Sequence, residues 1–231
     1  MDKTRNKIFV GCLALLLLMV VGYALFSQSL NITGTAKAEG KFNIEFTEAS
    51  IKTEKGSTGA TATISDDGKI LTITVPKLEY PGAYVDVSYT VKNTGTIDAI
   101  FNSNKLTGTT DKIKANYVVS NLLYLAANDT ATDNNIRIYW DSDINTTNEE
   151  STTIKYEINY NQINDKDAAC TALKEKAKII NECDSWIRDP ESDKECQDLS
   201  KNDLDGNGAI DGTDAGYIEA FAYQKLGCSQ N

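Results

Sequence analysis

Tyr84-Val85-Asp86-Val87-Ser88-Tyr89-Thr90-Val91 alternates strictly, with Val85, Val87, Tyr89 and Val91 on one side and mostly polar residues on the other. A period of two, written in Val, Tyr and Thr, is the pattern of a strand with one buried face. The same alternation recurs upstream in Ile70-Leu71-Thr72-Ile73-Thr74-Val75 and Lys41-Phe42-Asn43-Ile44-Glu45-Phe46, and downstream in Ile154-Lys155-Tyr156-Glu157-Ile158-Asn159-Tyr160. Asp67-Gly68 is a hairpin signal, and Pro81-Gly82 and Asn93-Thr94-Gly95 are turn signals. No helical pattern separates these runs, so the spacing predicts a mainly β body over residues 25–162, an antiparallel β-sandwich of jelly-roll or Ig-like type. Asn121 to Ala127 is the one stretch there that reads as a helical turn. The Asn/Thr/Asp-rich segments 128–135 and 141–152 read as solvated loops.

Ahead of the body, Met1 to Lys7 is short and net positive, and no charged residue occurs from Ile8 through Ala36. Ile8 to Phe26 is strongly apolar, with an unbroken leucine run from Leu15 to Leu18. A basic start, an apolar run and then small polar residues make an export leader, residues 1–24. Gly22 and Ala24 stand where a cut after Ala24 needs small side chains. Residues 8–26 are also long enough to cross a bilayer, so an uncleaved anchor stays open. Cys12 begins the apolar run and reads as a small apolar residue of the membrane phase. Asn31-Ile32-Thr33, Asn128-Asp129-Thr130 and Asn145-Thr146-Thr147 match the glycosylation acceptor pattern.

Composition removes several function classes. The net charge is −10, the opposite of what phosphate binding requires, which argues against a nucleic-acid partner. There is no histidine, which excludes Ser-His-Asp and Cys-His nucleophile systems and argues against catalytic zinc. A glycosidase needs only two facing acids, but no pair stands out from the acidic background. The chain is therefore expected not to be an enzyme.

After Gln162 the character changes, and residues 163–231 are expected to be a small helical, disulfide-linked domain. Asp167 to Glu182 has helical spacing, with Asp167 as N-cap and Ala169, Leu173 and Ile180 on one face. Glu191 to Leu199 and Ala215 to Leu226 are two further helical segments. So short a stretch buries little surface, so crosslinks and a bound ion are the expected supports. Cys170, Cys183, Cys196 and Cys228 all lie here, without any C-x-x-C pair, which favours two disulfides over zinc. Sequence does not choose among the three possible pairings. In a helix, Cys170 and Cys183 would lie roughly 20 Å apart, too far to bond. The preferred pairing is Cys183 with Cys196 and Cys170 with Cys228.

Asp203-Leu204-Asp205-Gly206-Asn207-Gly208-Ala209-Ile210-Asp211-Gly212-Thr213-Asp214 fits a twelve-residue calcium loop. Oxygens at the first, third and fifth positions come from Asp203, Asp205 and Asn207. Gly208 at the sixth permits the sharp turn, and the Ala209 carbonyl serves the seventh. Ile210 points inward, Asp211 at the ninth acts directly or through water, and Asp214 closes the shell at the twelfth. The competing reading is an ion-free Asp/Gly/Asn surface turn. The full match of liganding positions, glycine and inward isoleucine favours Ca²⁺ in a structural role.

Asp203 to Leu226 resembles one repeat of a dockerin, the calcium-dependent module that docks into cohesins; a complete dockerin has two. Val21-Gly22-Tyr23-Ala24-Leu25-Phe26-Ser27 and the Gly-x-Phe-x-Ile strand at Gly40 to Ile44 resemble the start of TasA/camelysin-type proteins. Leu78-Glu79-Tyr80-Pro81-Gly82, leading into Val87 to Ala99 with Val91-Lys92-Asn93-Thr94-Gly95, is similar to a strand pair of that family. That resemblance implies an exported β-sandwich that builds extracellular matrix fibres. The family's reported metalloprotease activity does not carry over to a chain without histidine. The expectation is therefore a structural or adhesive protein, secreted or held at the cell surface. Its partner is another protein or a second copy, and membrane contact comes only through residues 8–26. The alternative is a dockerin-like module captured by a cohesin-type receptor. A pilin is disfavoured, because no glutamate and cleavage site precede the apolar run.

Overall fold

The computed structural model describes residues 40–144 and 148–229, all within one compact unit, Gly40–Asn231. The expected leader (residues 1–24), the span 8–26 and Cys12 lie outside the described residues. The architecture is mainly β, with two antiparallel sheets in a sandwich-like arrangement followed by one 19-residue helix and three shorter ones.

The four-stranded sheet runs β1 (Ile44–Lys55), β4 (Tyr84–Asn93), β8 (Thr130–Trp140), β6 (Ile113–Tyr117). The five-stranded sheet runs β2 (Thr61–Ile64), β3 (Ile70–Leu78), β9 (Glu150–Ile163), β5 (Asp98–Thr107), β7 (Tyr124–Leu125). The alternating residues read from sequence form the inner faces: Leu71, Ile73 and Val75 from one sheet, Val85 and Val87 from the other, all fully buried. Aromatic rings bridge the sheets, Tyr89 lying 5.8 Å from Tyr156 and Tyr117 5.4 Å from Tyr156 between centroids. Fully burying one such aliphatic side chain stabilises the fold by about 1.5–3 kcal/mol, so this interior is the main driving force. Asp67-Gly68 makes the β2–β3 hairpin, with Gly68 at φ +70° and its N–H donating to the Ser65 carbonyl at 2.8 Å. Asn93 explains the next turn: its buried carboxamide accepts from Gly95 N at 2.9 Å and donates to the Ile97 and Leu125 carbonyls.

Several local expectations are corrected. The first strand begins at Ile44, not Lys41. Residues 130–135 are strand rather than loop, because Asn134 turns inward and bonds the Tyr89 and Ala131 carbonyls. β9 begins at Glu150, inside the stretch 141–152 expected to be loop. Of 121–127, only a short 3₁₀ turn, Ser120–Leu122, is helical, and β7 follows it.

Beyond β9 come α1 (Lys166–Asp184), α2 (Lys194–Gln197), α3 (Leu199–Asn202) and α4 (Gly212–Ala220), then a π-helical turn, Phe221–Lys225. Asp165, not Asp167, caps α1, its carboxylate accepting from Ala168 N at 2.8 Å. The segment expected as one helix over 191–199 is two single turns broken at Asp198, and α4 starts earlier than Ala215. Ala169, Leu173, Ala177 and Ile180 form the buried face of α1, and Leu204, Ile218 and Phe221 join the same continuous core as the sheets. Disulfides join Cys170 to Cys228 and Cys183 to Cys196, the pairing preferred from sequence. Among the described residues, no helix is long and apolar enough to cross a membrane.

Candidate metal centre

The loop from Asp203 to Asp214 leads from α3 into α4. Its shape follows from carboxylates bonding the loop's own backbone. Asp203 accepts from Gly206 N at 2.7 Å and from Gly208 N at 2.9 Å, so one side chain gathers the turn around itself. Gly206 and Gly208 sit at φ +72° and +87°, which favours glycine at both. Asp205 accepts from Asn207 N at 3.0 Å, and Asn207 Oδ1 accepts from Ala209 N at 2.7 Å.

The far end is a capping box. Asp211 accepts from Thr213 N at 2.8 Å, and Asp214 accepts from Asp211 N at 3.0 Å. The other Asp214 oxygen reaches back across the loop to Leu204 N at 2.7 Å. One residue thus closes the loop and starts the helix. An ionised carboxylate offers about four lone-pair sites, so the two bonds on Asp203 and on Asp214 leave capacity facing inward.

Carboxylate oxygens of Asp203, Asp205 and Asp214 lie within 4.8 Å of one another. Asp203 and Asp214 are buried, Asp214 completely. Among the described residues, no lysine or arginine forms an ion pair with any of the three. Burial pushes the Asp203 carboxyl above its usual range, against the pull of its bonds from Gly208 and Gly206. Burial likewise raises Asp214, to about 6, and the neighbouring Asp205 and Asp203 charges add to it. Clustered buried carboxylates are costly unless a cation compensates them, and an all-oxygen donor set suits a hard divalent ion.

Of the six ligands expected from sequence, the structure brings three together: Asp203, Asp205 and Asp214. Asp211 is engaged as the helix cap, and Asn207 and Ala209 are exposed, the Asn207 Oδ1 accepting from Ala209 N. Ile210 is half-buried against the core.

Sequence reading missed where the loop docks. Tyr117 N donates to Asp205 O at 3.2 Å and Val119 N to Leu204 O at 2.9 Å, so the loop backbone lies along the outer edge of β6. The Tyr117 ring packs over Gly206, where a Cβ would stand 2.8 Å from it. Its hydroxyl donates to Asn104 Oδ1 at 3.1 Å. Burial, then the Asp203 charge, raises the Tyr117 phenol to about 12. No local signal announces this contact, because β6 and the loop are far apart in sequence. No family model, curated protein or solved structure matches this chain.

Proposed function

We propose that the chain is an exported structural or adhesive protein of the cell surface or extracellular matrix. In this reading its body is a β-sandwich, and Asp203, Asp205 and Asp214 hold a structural calcium ion. The observation that carries the reading is the acidic triad, with Asp203 and Asp214 buried and none of the three paired with lysine or arginine among the described residues, in a loop bonded to the β6 edge. Calcium binding there offsets two of the triad's three negative charges and fixes the loop as a cover for an otherwise open strand edge. Two disulfides support a compartment outside the reducing cytosol, in line with the leader. The absence of histidine supports a binding rather than a catalytic role.

Strand edges bear on how copies or partners associate. β1 is interrupted by two register shifts and carries Glu48, Lys52, Glu54 and Lys55, which blunt it. The uncharged edge of β2, Thr61–Ile64, is the less protected one. The test is negative-stain microscopy of the full chain with calcium and with chelator. Ordered assemblies that depend on calcium are expected, and uniform single particles in both conditions would overturn assembly. Calorimetric titration of calcium into the wild type and into Asp203→Ala/Asp205→Ala tests the ion separately. The loop followed by α4 favours a second reading, capture by a cohesin-type receptor; it requires the same double variant to abolish capture while the sheets stay folded.

A further inference from the structure

Trp186 and Ile187 are the most exposed large apolar residues described, 72% and 75% accessible, and they are adjacent. They project from the segment closed by Cys183–Cys196, and the segment is built to hold them out. Trp186 N donates to the Cys183 carbonyl at 3.2 Å and Ile187 N to the Glu182 carbonyl at 2.9 Å. The Arg188 guanidinium binds Glu182 at 2.9 Å and Asp193 at 3.0 Å, locking the loop across its base. Trp186 itself sits at φ +57°, a left-handed setting that a bulky side chain rarely adopts. Strain of this kind persists only where the surroundings impose it, and it clusters at functional positions.

Beside Trp186 runs an open groove of about 460 Å³, lined by Pro190, the Cys183–Cys196 bridge, Leu199, Ala209 and Ile210. Asp184 and Gln197 also line the groove, which is therefore of mixed character, and an exposed tryptophan beside such a groove is a usual form of binding anchor. The rim decides the occupant. Asp184 lines the groove, and Asp189, Glu191 and Glu195 are exposed within the same short segment. Between Glu182 and Asp198 there are seven acidic residues against two basic ones, Arg188 and Lys194. That field repels an anionic lipid surface, and it repels a second copy of a chain of net charge −10.

We infer that the Cys183–Cys196 loop is a docking site for a separate polypeptide segment that carries apolar side chains flanked by lysine or arginine. The apolar groups pack on Trp186 and into the groove, and the cations face the acidic rim. One wall of the groove, Ala209 and Ile210, comes from the acidic loop, so binding is measured both with calcium and with chelator.

The probe is a synthetic amphipathic peptide of leucine and lysine, added to the full chain under oxidising conditions. Trp140 is fully buried, so a blue shift of tryptophan emission reports Trp186. A saturable blue shift is expected, with affinity falling about tenfold in high salt. Trp186→Ala/Ile187→Ala, read by anisotropy of the labelled peptide, is expected to lose binding. Asp184→Asn/Glu191→Gln weakens it, and Tyr80→Ala, at an exposed aromatic elsewhere, leaves it unchanged. The inference is overturned by no response to the peptide, by unchanged binding in the Trp186 variant, or by an equal response to a leucine/glutamate peptide. A shift caused by phosphatidylglycerol vesicles instead would make the surface a lipid contact. A shift that grows with protein concentration alone would make the occupant a second copy.

Discussion

Residues 44–163 and residues 165–229 hide their backbones by different means. The sheets contain no cysteine and rest on an interior in which Leu71, Ile73, Val85, Val87, Ile136, Ile138 and Trp140 are fully buried. The following segment has one 19-residue helix and three shorter ones, both disulfides and an acidic triad of which Asp203 and Asp214 are buried. The tail shares the continuous core of the sheets, and two disulfides add covalent constraints that the strands lack. The difference teaches that solution conditions should act on one region and not the other: reductant, chelator and pH reach the tail, whereas only side-chain truncation reaches the sheets.

The largest effect should come from opening the long loop. Cys170 and Cys228 are 58 residues apart, and closing such a loop stabilises by about 4 kcal/mol in the chain-entropy account. Cys170→Ser/Cys228→Ser should therefore strip hydrogen-exchange protection from α1 and α4 while β3, β4 and β9 keep theirs. Equal loss in the strands would break the comparison and make the whole unit cooperative. Cys183→Ser/Cys196→Ser, which opens a separation of 13 residues, should cost about 3 kcal/mol.

Truncation in the sheets tests the other side. Ile138, fully buried in β8, should cost about 3 kcal/mol as Ile138→Ala, measured by urea unfolding. The loss should be the same with and without chelator. A chelator-dependent value would mean that β8 feels the loop through its partner β6.

How much of this was legible follows from the same contrast. Strands such as β3 and β4 announce themselves, because one buried face enforces alternation over many residues. The first half of β8 does not, because Asn134 replaces an apolar inward residue and satisfies itself on the Tyr89 and Ala131 carbonyls. Both Asp165 and Asp167 can cap a helix, and the local pattern does not choose between them; Asp165 takes the cap. The acidic character of the loop was legible, but its docking on Tyr117 and Val119 was not. Nor was the Trp186 setting, since nothing in the residue type foretells a left-handed backbone.

Ion removal comes next in size. With calcium at about a hundred times its dissociation constant, binding stabilises the folded state by about 2.7 kcal/mol. Chelation should lower the tail's unfolding midpoint accordingly, and Asp203→Ala/Asp205→Ala should show no further loss on chelation. The readout is exchange at Leu204 and Asp214, whose buried contacts close the loop.

The smallest effect concerns pH, and it has opposite signs in the two states of the loop. Burial raises Asp214 from 3.8 to about 6, with Asp203 and Asp205 facing it and the half-buried Lys176 also within its field. Between these values the folded chain without ion holds a proton that the unfolded chain has released. Stability of the chelated protein therefore falls as pH rises from about 4 to 6 and recovers as pH falls again. With calcium the order reverses, because the ion binds the ionised carboxylate and must displace that proton. Its affinity should drop about tenfold between pH 7 and pH 5, the change expected for one competing proton with a pKa near 6. Midpoints with calcium and with chelator should therefore converge as the solution is acidified. Asp214→Asn should abolish this convergence. Parallel midpoints across the range would remove Asp214 from the ion's shell, leaving it a helix-capping residue with no part in metal binding.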